Sequence, residues 1–133
     1  MPEEKNISIL VVEDDEAVRE LICEILNEDG HHVEAAVNGR RGLELFTSKN
    51  FDMVFTDLVM PEMSGWQLAE EIKAISSTTP VSLITAWTLN MEIAELQSRG
   101  IDFIVFKPFR DEQLQRLVHD SMAIKGKLAS TAS

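Results

Sequence analysis

Acidic side chains follow two mainly apolar runs of this chain, in positions where they could bind a cation. Glu13, Asp14 and Asp15 come directly after the run at 7–12, and Asp57 follows the run at 53–56. A short apolar run bounded by turn residues is typical of a buried strand. Because open α/β sheets bind ligands at the carboxyl ends of their strands, we expect these carboxylates to share one cation site.

Two further polar residues end apolar runs later in the chain. Thr85 follows the run at 81–84, and Lys107 follows the run at 101–106. Crowded carboxylates repel one another unless a cation joins them, and a few hard oxygen ligands suit Mg²⁺. The hydroxyl and the ammonium could bind phosphoryl oxygens, and ionised Asp57 could attack phosphorus to form an acyl phosphate. Charge neutralisation by Mg²⁺ and Lys107 would then supply most of the catalysis.

The composition is that of one globular domain with a large negative charge. The chain has 133 residues, of which 23 are acidic and 12 basic, and its formal net charge is −11. This charge argues against direct nucleic-acid binding, which needs a basic patch, and permits divalent cations. The sequence contains no apolar stretch long enough to span a membrane and no signal-peptide core. The single cysteine, Cys23, cannot form an internal disulfide, which favours the cytoplasm.

Apolar runs alternate with amphipathic stretches five times along the chain. The predicted strands are 7–12, 32–36, 53–56, 81–84 and 101–106, and a predicted helix follows each of them. This alternation predicts an α/β fold, a single doubly wound five-stranded parallel sheet in the flavodoxin-like order 2-1-3-4-5 with helices on both faces. The fourth helix, about 90–98, has the thinnest apolar stripe. We expect an N-terminal extension at 1–6, one domain at 7–123 and a flexible tail at 124–133.

Four short motifs make the chain similar to the receiver domains of two-component response regulators. The likeness covers residues 7–121, nearly the whole chain. The motifs are Val11-Val12-Glu13-Asp14-Asp15, then Asp57 with Met60-Pro61 and Gly65, then Thr85-Ala86, and finally Lys107-Pro108-Phe109.

The resemblance implies a phosphorylation-dependent signalling switch in a phosphorelay. Asp57 would accept a phosphoryl group from a phosphohistidine on a histidine kinase or a histidine phosphotransfer protein. The domain would catalyse only its own phosphorylation and dephosphorylation, and would not otherwise be an enzyme. The face formed by helix 4, strand 5 and helix 5 would be the readout surface and could form a homodimer. We expect no direct contact with nucleic acid or membrane.

The resemblance also implies a role for each residue of the site. Mg²⁺ would be bound by Asp14, Asp57 and the backbone carbonyl of Val59, with Glu13 acting largely through water. Thr85 and Lys107 would contact the phosphoryl group. The peptide bond between Lys107 and Pro108 is expected to be cis.

The sequence departs from the family pattern at two places. The position three residues before the strand-5 lysine is usually aromatic in the family, and here it is Ile104. Val59 and Trp87 each lie two residues past a site residue, and neither can orient an attacking water. We therefore hypothesise a comparatively long-lived acyl phosphate that Trp87 shields.

Several other interpretations of the same residues remain open at this stage. The chain could be a receiver taken from a hybrid histidine kinase or a larger regulator. A phosphatase of the haloacid dehalogenase type also uses a strand-end Asp, but it needs an acid where Val59 stands. A flavodoxin would need a phosphate-binding loop where the Glu13–Asp15 acids would repel phosphate. Asp15 could serve simply to favour the start of the first helix.

Overall fold

The computed structural model describes residues 6–86 and 93–132, in which five strands alternate with five helices. The strands are β1 (Ser8–Val12), β2 (His32–Ala36), β3 (Met53–Asp57), β4 (Val81–Thr85) and β5 (Phe103–Phe106). The helices are α1 (Glu16–Glu28), α2 (Gly39–Ser48), α3 (Gly65–Ile75), α4 (Ile93–Ser98) and α5 (Asp111–Ala132). All neighbouring strands are parallel, in the order β2-β1-β3-β4-β5, which confirms the predicted fold class.

Helices cover both faces of the sheet and create two hydrophobic cores. In β1, Leu10 and Val12 pack on the side of α2, α3 and α4, whereas Ile9 and Val11 pack on the side of α1 and α5. Every residue of β3 and of β4 is buried. Continuous apolar runs are what a parallel sheet covered on both faces requires, and this is why the strands could be recognised in the sequence.

The strand boundaries differ slightly from the prediction at both edges of the sheet. At the carboxyl edge, β3 and β4 each extend by one residue and include Asp57 and Thr85. At the amino edge, residues 101 and 102 precede β5 instead of belonging to it. The carboxylate of Asp102 accepts hydrogen bonds from the backbone N–H of Val81 (2.9 Å) and from Lys73 Nζ (2.8 Å), and together with the bond from the Asp102 N–H to the Val81 carbonyl these fix the entry into the strand.

Side-chain caps define where three of the helices begin. Asp15 caps α1 by accepting from the Val18 N–H at 3.1 Å, so it is a capping residue, as one interpretation of the sequence allowed. Asn38 caps α2 in the same way, and Ser64 forms a capping box with Gln67 at the start of α3. The fifth helix, α5, begins at Asp111.

The C-terminal helix is longer than the sequence pattern indicated. The predicted flexible tail at 124–133 is helical through Ala132. The apolar stripe ends near Met122, but Lys125 Nζ forms an ion pair with Asp52 Oδ1 at 2.8 Å, below the amino edge of the sheet. Helical periodicity in the sequence cannot indicate an ion-pair partner this far away along the chain. The predicted start of the fourth helix at residue 90 lies outside the described residues.

None of the helices described is long enough and apolar enough to cross a membrane.

The loop between β3 and α3 contains a strained residue whose replacement should stabilise the protein. Glu62 has a φ of 71°, a left-handed conformation that L side chains adopt at a cost and glycine adopts freely. We expect Glu62→Gly to raise the free energy of unfolding by about 0.5 kcal/mol in urea titrations, because relief of the left-handed backbone outweighs the greater conformational entropy of glycine in the unfolded chain. The control is Glu71→Gly, an exposed position inside α3, which should lower it by about 1 kcal/mol. A lower free energy of unfolding in Glu62→Gly would show that the backbone at Glu62 is not strained.

Candidate functional site

The three predicted acidic residues meet at the carboxyl edge of the sheet. One carboxylate oxygen from each of Glu13, Asp14 and Asp57 lies within 4.8 Å of the other two. Glu13 is 1% exposed and Asp57 is 7% exposed, whereas Asp14 is open to solvent. The cluster arises because β1 and β3 are neighbours in the sheet and run in the same direction.

Lys107 places one ammonium group between two of these acids. Its Nζ lies 3.0 Å from Glu13 Oε1 and 3.2 Å from Asp57 Oδ2. The backbone N–H of Lys107 donates to the Thr85 carbonyl at 2.8 Å, which ties the residue to the end of β4. The bond between Lys107 and Pro108 is cis, as the resemblance implied.

The surroundings of Asp57 fix its carboxylate. Oδ1 accepts from the backbone N–H of Leu58 at 2.7 Å, and Oδ2 faces Lys107. A Cβ at Gly65 would clash with the Asp57 carbonyl oxygen, so α3 can start close to the site because residue 65 has no side chain. Thr85 is fully buried at the end of β4, where its neighbour Ile84 is the register partner of Asp57.

The remaining predicted positions lie around the site or beside it. Val59 follows β3 by two residues and is 53% exposed. Ile104 is partly buried and lines a groove of about 350 Å³ between α4, β5 and α5, together with Leu96 and Leu117. Phe106, next to Lys107, is 46% exposed at the end of β5. Trp87 lies outside the described residues.

The electrostatics of the site are dominated by two buried acids near one base. The pKa of Glu13 is raised to about 7, chiefly by burial and in part by the negative charge of Asp57, although the hydrogen bond from the Asp15 N–H and the contact with Lys107 lower it. Burial by itself lowers the pKa of Lys107, but the contacts with Glu13 and Asp57 outweigh burial and raise it. The single positive charge of Lys107 therefore does not neutralise both acids, and this favours binding of an additional cation.

The donor set fits a hard divalent cation. Glu13 Oε1 is buried and makes no directed hydrogen bond, although Lys107 Nζ is at ion-pair distance. Three carboxylates of which one is exposed offer oxygen ligands together with open positions for water, the arrangement that Mg²⁺ prefers.

Arg19, which was not among the predicted site residues, contacts the site through the backbone. Its Nη1 donates to the carbonyl oxygen of Glu13 at 3.0 Å. A faint signal was present, since a cation in the first turn of a helix opposes the helix dipole and is therefore unusual. Nothing in the sequence indicates which carbonyl such a side chain would reach.

Comparisons with known proteins agree with this fold. The family model of the response regulator receiver domain matches residues 9–119. The chain is 33% identical over 111 residues to the transcriptional regulatory protein RprY of Bacteroides fragilis, covering 84% of this chain and 47% of the relative. It is 34% identical over 109 residues to the response regulator MprA of Mycolicibacterium vanbaalenii, covering 81% of this chain and 47% of the relative.

Solved structures give the same result for the fold. The chemotaxis response regulator CheY4 of Vibrio cholerae matches with a TM-score of 0.82 and 26% identity, over 88% of this chain and 99% of that one. NtrX from Brucella abortus matches with a TM-score of 0.87 over 96% of this chain and 29% of that one, and its 23% identity supports the fold alone.

This chain therefore belongs to the response regulator receiver domain family, whose members are phosphorylation-dependent switches in two-component signalling. Receiver domains are signalling domains rather than true enzymes, and they interact with histidine kinases. The family match decides against the flavodoxin and phosphatase interpretations. The chain spans about half the length of these two curated relatives.

The raised pKa of Glu13 predicts how stability depends on pH in magnesium-free buffer. Because the pKa rises from 4.5 to about 7, the folded protein holds this proton more tightly than the unfolded chain does. The resulting stabilisation is complete below about pH 4.5 and is lost as the pH rises through about 7. We expect the free energy of unfolding of Glu13→Gln, relative to that of wild type, to increase by on the order of 2 kcal/mol as the pH rises between these limits. The measurement is urea unfolding in EDTA.

Glu24→Gln, which removes an exposed acid from α1, serves as the control. Its free energy of unfolding should show no comparable gain over wild type across the same pH range. A pH-independent difference between Glu13→Gln and wild type would show that the Glu13 carboxyl titrates normally.

Proposed function

We propose that Asp57 is the phosphoacceptor and that it takes its phosphoryl group from a phosphohistidine on a histidine kinase or a histidine phosphotransfer protein. The observation that carries this proposal is the position of the Asp57 carboxylate, buried, 3.2 Å from the Lys107 ammonium and clustered with two further acids. The carboxylate oxygen forms a bond to phosphorus as the bond between phosphorus and the histidine nitrogen breaks. The imidazole leaves with the electron pair of that bond and takes up a proton.

Each neighbouring residue has a proposed part in this transfer. Asp14, Asp57 and the Val59 carbonyl would hold Mg²⁺, with Glu13 acting largely through water, and the ion would neutralise charge on the phosphoryl oxygens. Lys107 already lies against Asp57 Oδ2 and can donate to a phosphoryl oxygen attached there. The Thr85 hydroxyl, at the adjacent strand end, would donate to another.

The domain would thus catalyse its own phosphorylation and dephosphorylation and act on no other substrate. We place the reaction in the cytoplasm, because an unpaired cysteine such as Cys23 suits a reducing compartment.

The test is phosphorylation by acetyl phosphate in the presence of Mg²⁺, followed by intact mass spectrometry. Wild type should gain one phosphoryl group, and Asp57→Asn should gain none. Lys107→Met should react at least about tenfold more slowly, because it removes the positive charge that stabilises the transition state. Asp52→Asn is the matched control, since Asp52 lies just before the same strand at its opposite end and should not affect labelling.

EDTA should abolish the reaction in wild type. Labelling of Asp57→Asn at the wild-type rate, or undiminished labelling in EDTA, would refute the proposal.

We further propose that phosphorylation promotes homodimerisation through the face formed by α4, β5 and α5. The groove beside Ile104, lined by Leu96 and Leu117, offers apolar surface on that face. With beryllofluoride and Mg²⁺, light scattering should report a dimer for wild type and a monomer for Ile104→Asp. Leu21→Asp, at an exposed apolar position on α1, should dimerise like wild type. A wild-type monomer under these conditions would exclude the dimer.

A further inference from the structure

We propose that Arg19 is a positioning residue for the cation site, because it holds the backbone segment that carries Glu13 and Asp14. This inference rests on the proposed function, in which Asp14 and Asp57 bind Mg²⁺. It adds a residue that lies on α1 and touches neither the ion nor the phosphoryl group.

The guanidinium of Arg19 is directed at the loop between β1 and α1. Nη1 donates to the Glu13 carbonyl oxygen at 3.0 Å. The helix around it offers the acids Glu16 and Glu20, yet Arg19 forms no ion pair with any carboxylate in the parts of the chain that the structure describes. A cation in the first turn of a helix is disfavoured by the helix dipole. The hydrogen bond to the loop is therefore the interaction that this side chain contributes.

Three polar atoms of Glu13 form hydrogen bonds and the fourth lies at ion-pair distance from Lys107, and Arg19 supplies one of the hydrogen bonds. The backbone N–H of Glu13 donates to the Ala36 carbonyl at 3.1 Å. Glu13 Oε2 accepts from the Asp15 N–H at 3.1 Å, and Glu13 Oε1 lies 3.0 Å from Lys107 Nζ. The carbonyl oxygen is held by Arg19. This last contact is the one that fixes the plane of the peptide bond leading into Asp14.

Asp14 depends on that peptide plane for its position. It is exposed, and among residues 6–86 and 93–132 no hydrogen bond to its carboxylate is formed. Its placement beside Glu13 and Asp57 therefore comes from the backbone, which is anchored on one side by the Glu13 contacts and on the other by the Asp15 cap. Loss of the Arg19 hydrogen bond would release the first of these anchors and let Asp14 move away from the other ligands.

The positioning effect and the charge of Arg19 act in opposite directions. A cation near the site repels Mg²⁺, so removing its charge alone would tighten Mg²⁺ binding. Residues that orient metal ligands typically contribute 10- to 100-fold to metal affinity, because the ligands are otherwise not preorganised. If Arg19 positions the loop, its removal should weaken Mg²⁺ binding in spite of the charge effect.

The experiment is a calorimetric titration of the full chain with Mg²⁺ alone. We expect Arg19→Met to raise the Kd about tenfold, and Arg19→Lys, which keeps the charge but lacks the guanidinium fork, to raise it about threefold. The control is Arg110→Met, which removes an exposed cation close to Lys107 that has no contact with the site carbonyls. It should leave the Kd unchanged or lower it slightly. Melting temperatures in EDTA should be similar for Arg19→Met and Arg110→Met.

The outcomes separate this inference from the proposed function. If wild type and Asp57→Asn bind Mg²⁺ equally, or wild type binds none, the acidic site itself is refuted and this inference with it. If wild type binds Mg²⁺ through Asp57 and Arg19→Met has the same Kd as Arg110→Met, the role of Arg19 alone is overturned. Should Arg19→Met be unfolded, a wild-type Kd for Arg19→Lys would overturn it.

Discussion

The structure depends on an imbalance of buried charge, in which Glu13 and Asp57 share the single ammonium of Lys107. Taking a carboxylate out of water is costly unless positive charge and hydrogen bonds replace the lost hydration. Here the compensation is incomplete, and the pKa of Glu13 is raised to about 7, chiefly by burial. A site of this kind favours an added cation, and a divalent ion offers oxygen-rich groups such as phosphate a place to bind.

The two edges of the sheet use acidic residues in opposite ways. At the amino edge, Asp52 accepts from a backbone N–H and pairs with Lys125, and Asp102 accepts from a backbone N–H and pairs with Lys73. Each acid there has a base of its own. Burial alone would raise the pKa of Asp52, yet its hydrogen bonds lower the pKa on balance. Acidic residues therefore stabilise the fold at the amino edge of the sheet. At the carboxyl edge they form a cluster with surplus negative charge.

The fold was predictable because its physical requirements are periodic. Strands buried on both faces need continuous apolar runs, and these runs placed all five strands to within two residues at each end. The prediction failed where structure depends on one distant partner. Lys125 in α5 pairs with Asp52, and the Asp102 carboxylate just before β5 accepts from the Val81 N–H, and neither interaction follows a periodic pattern in the sequence.

The sequence by itself determined which residues stand at the strand ends, and hence that Glu13, Asp14, Asp57, Thr85 and Lys107 would lie along one edge. The tertiary structure alone decided how they share charge: Asp14 is open to solvent while Glu13 is almost fully buried, and Lys107 lies between Glu13 and Asp57. It also brought Arg19 to the Glu13 carbonyl. The reason is physical, since the positions of the strands along the chain follow from local patterns, whereas burial and hydrogen bonding depend on which elements pack together.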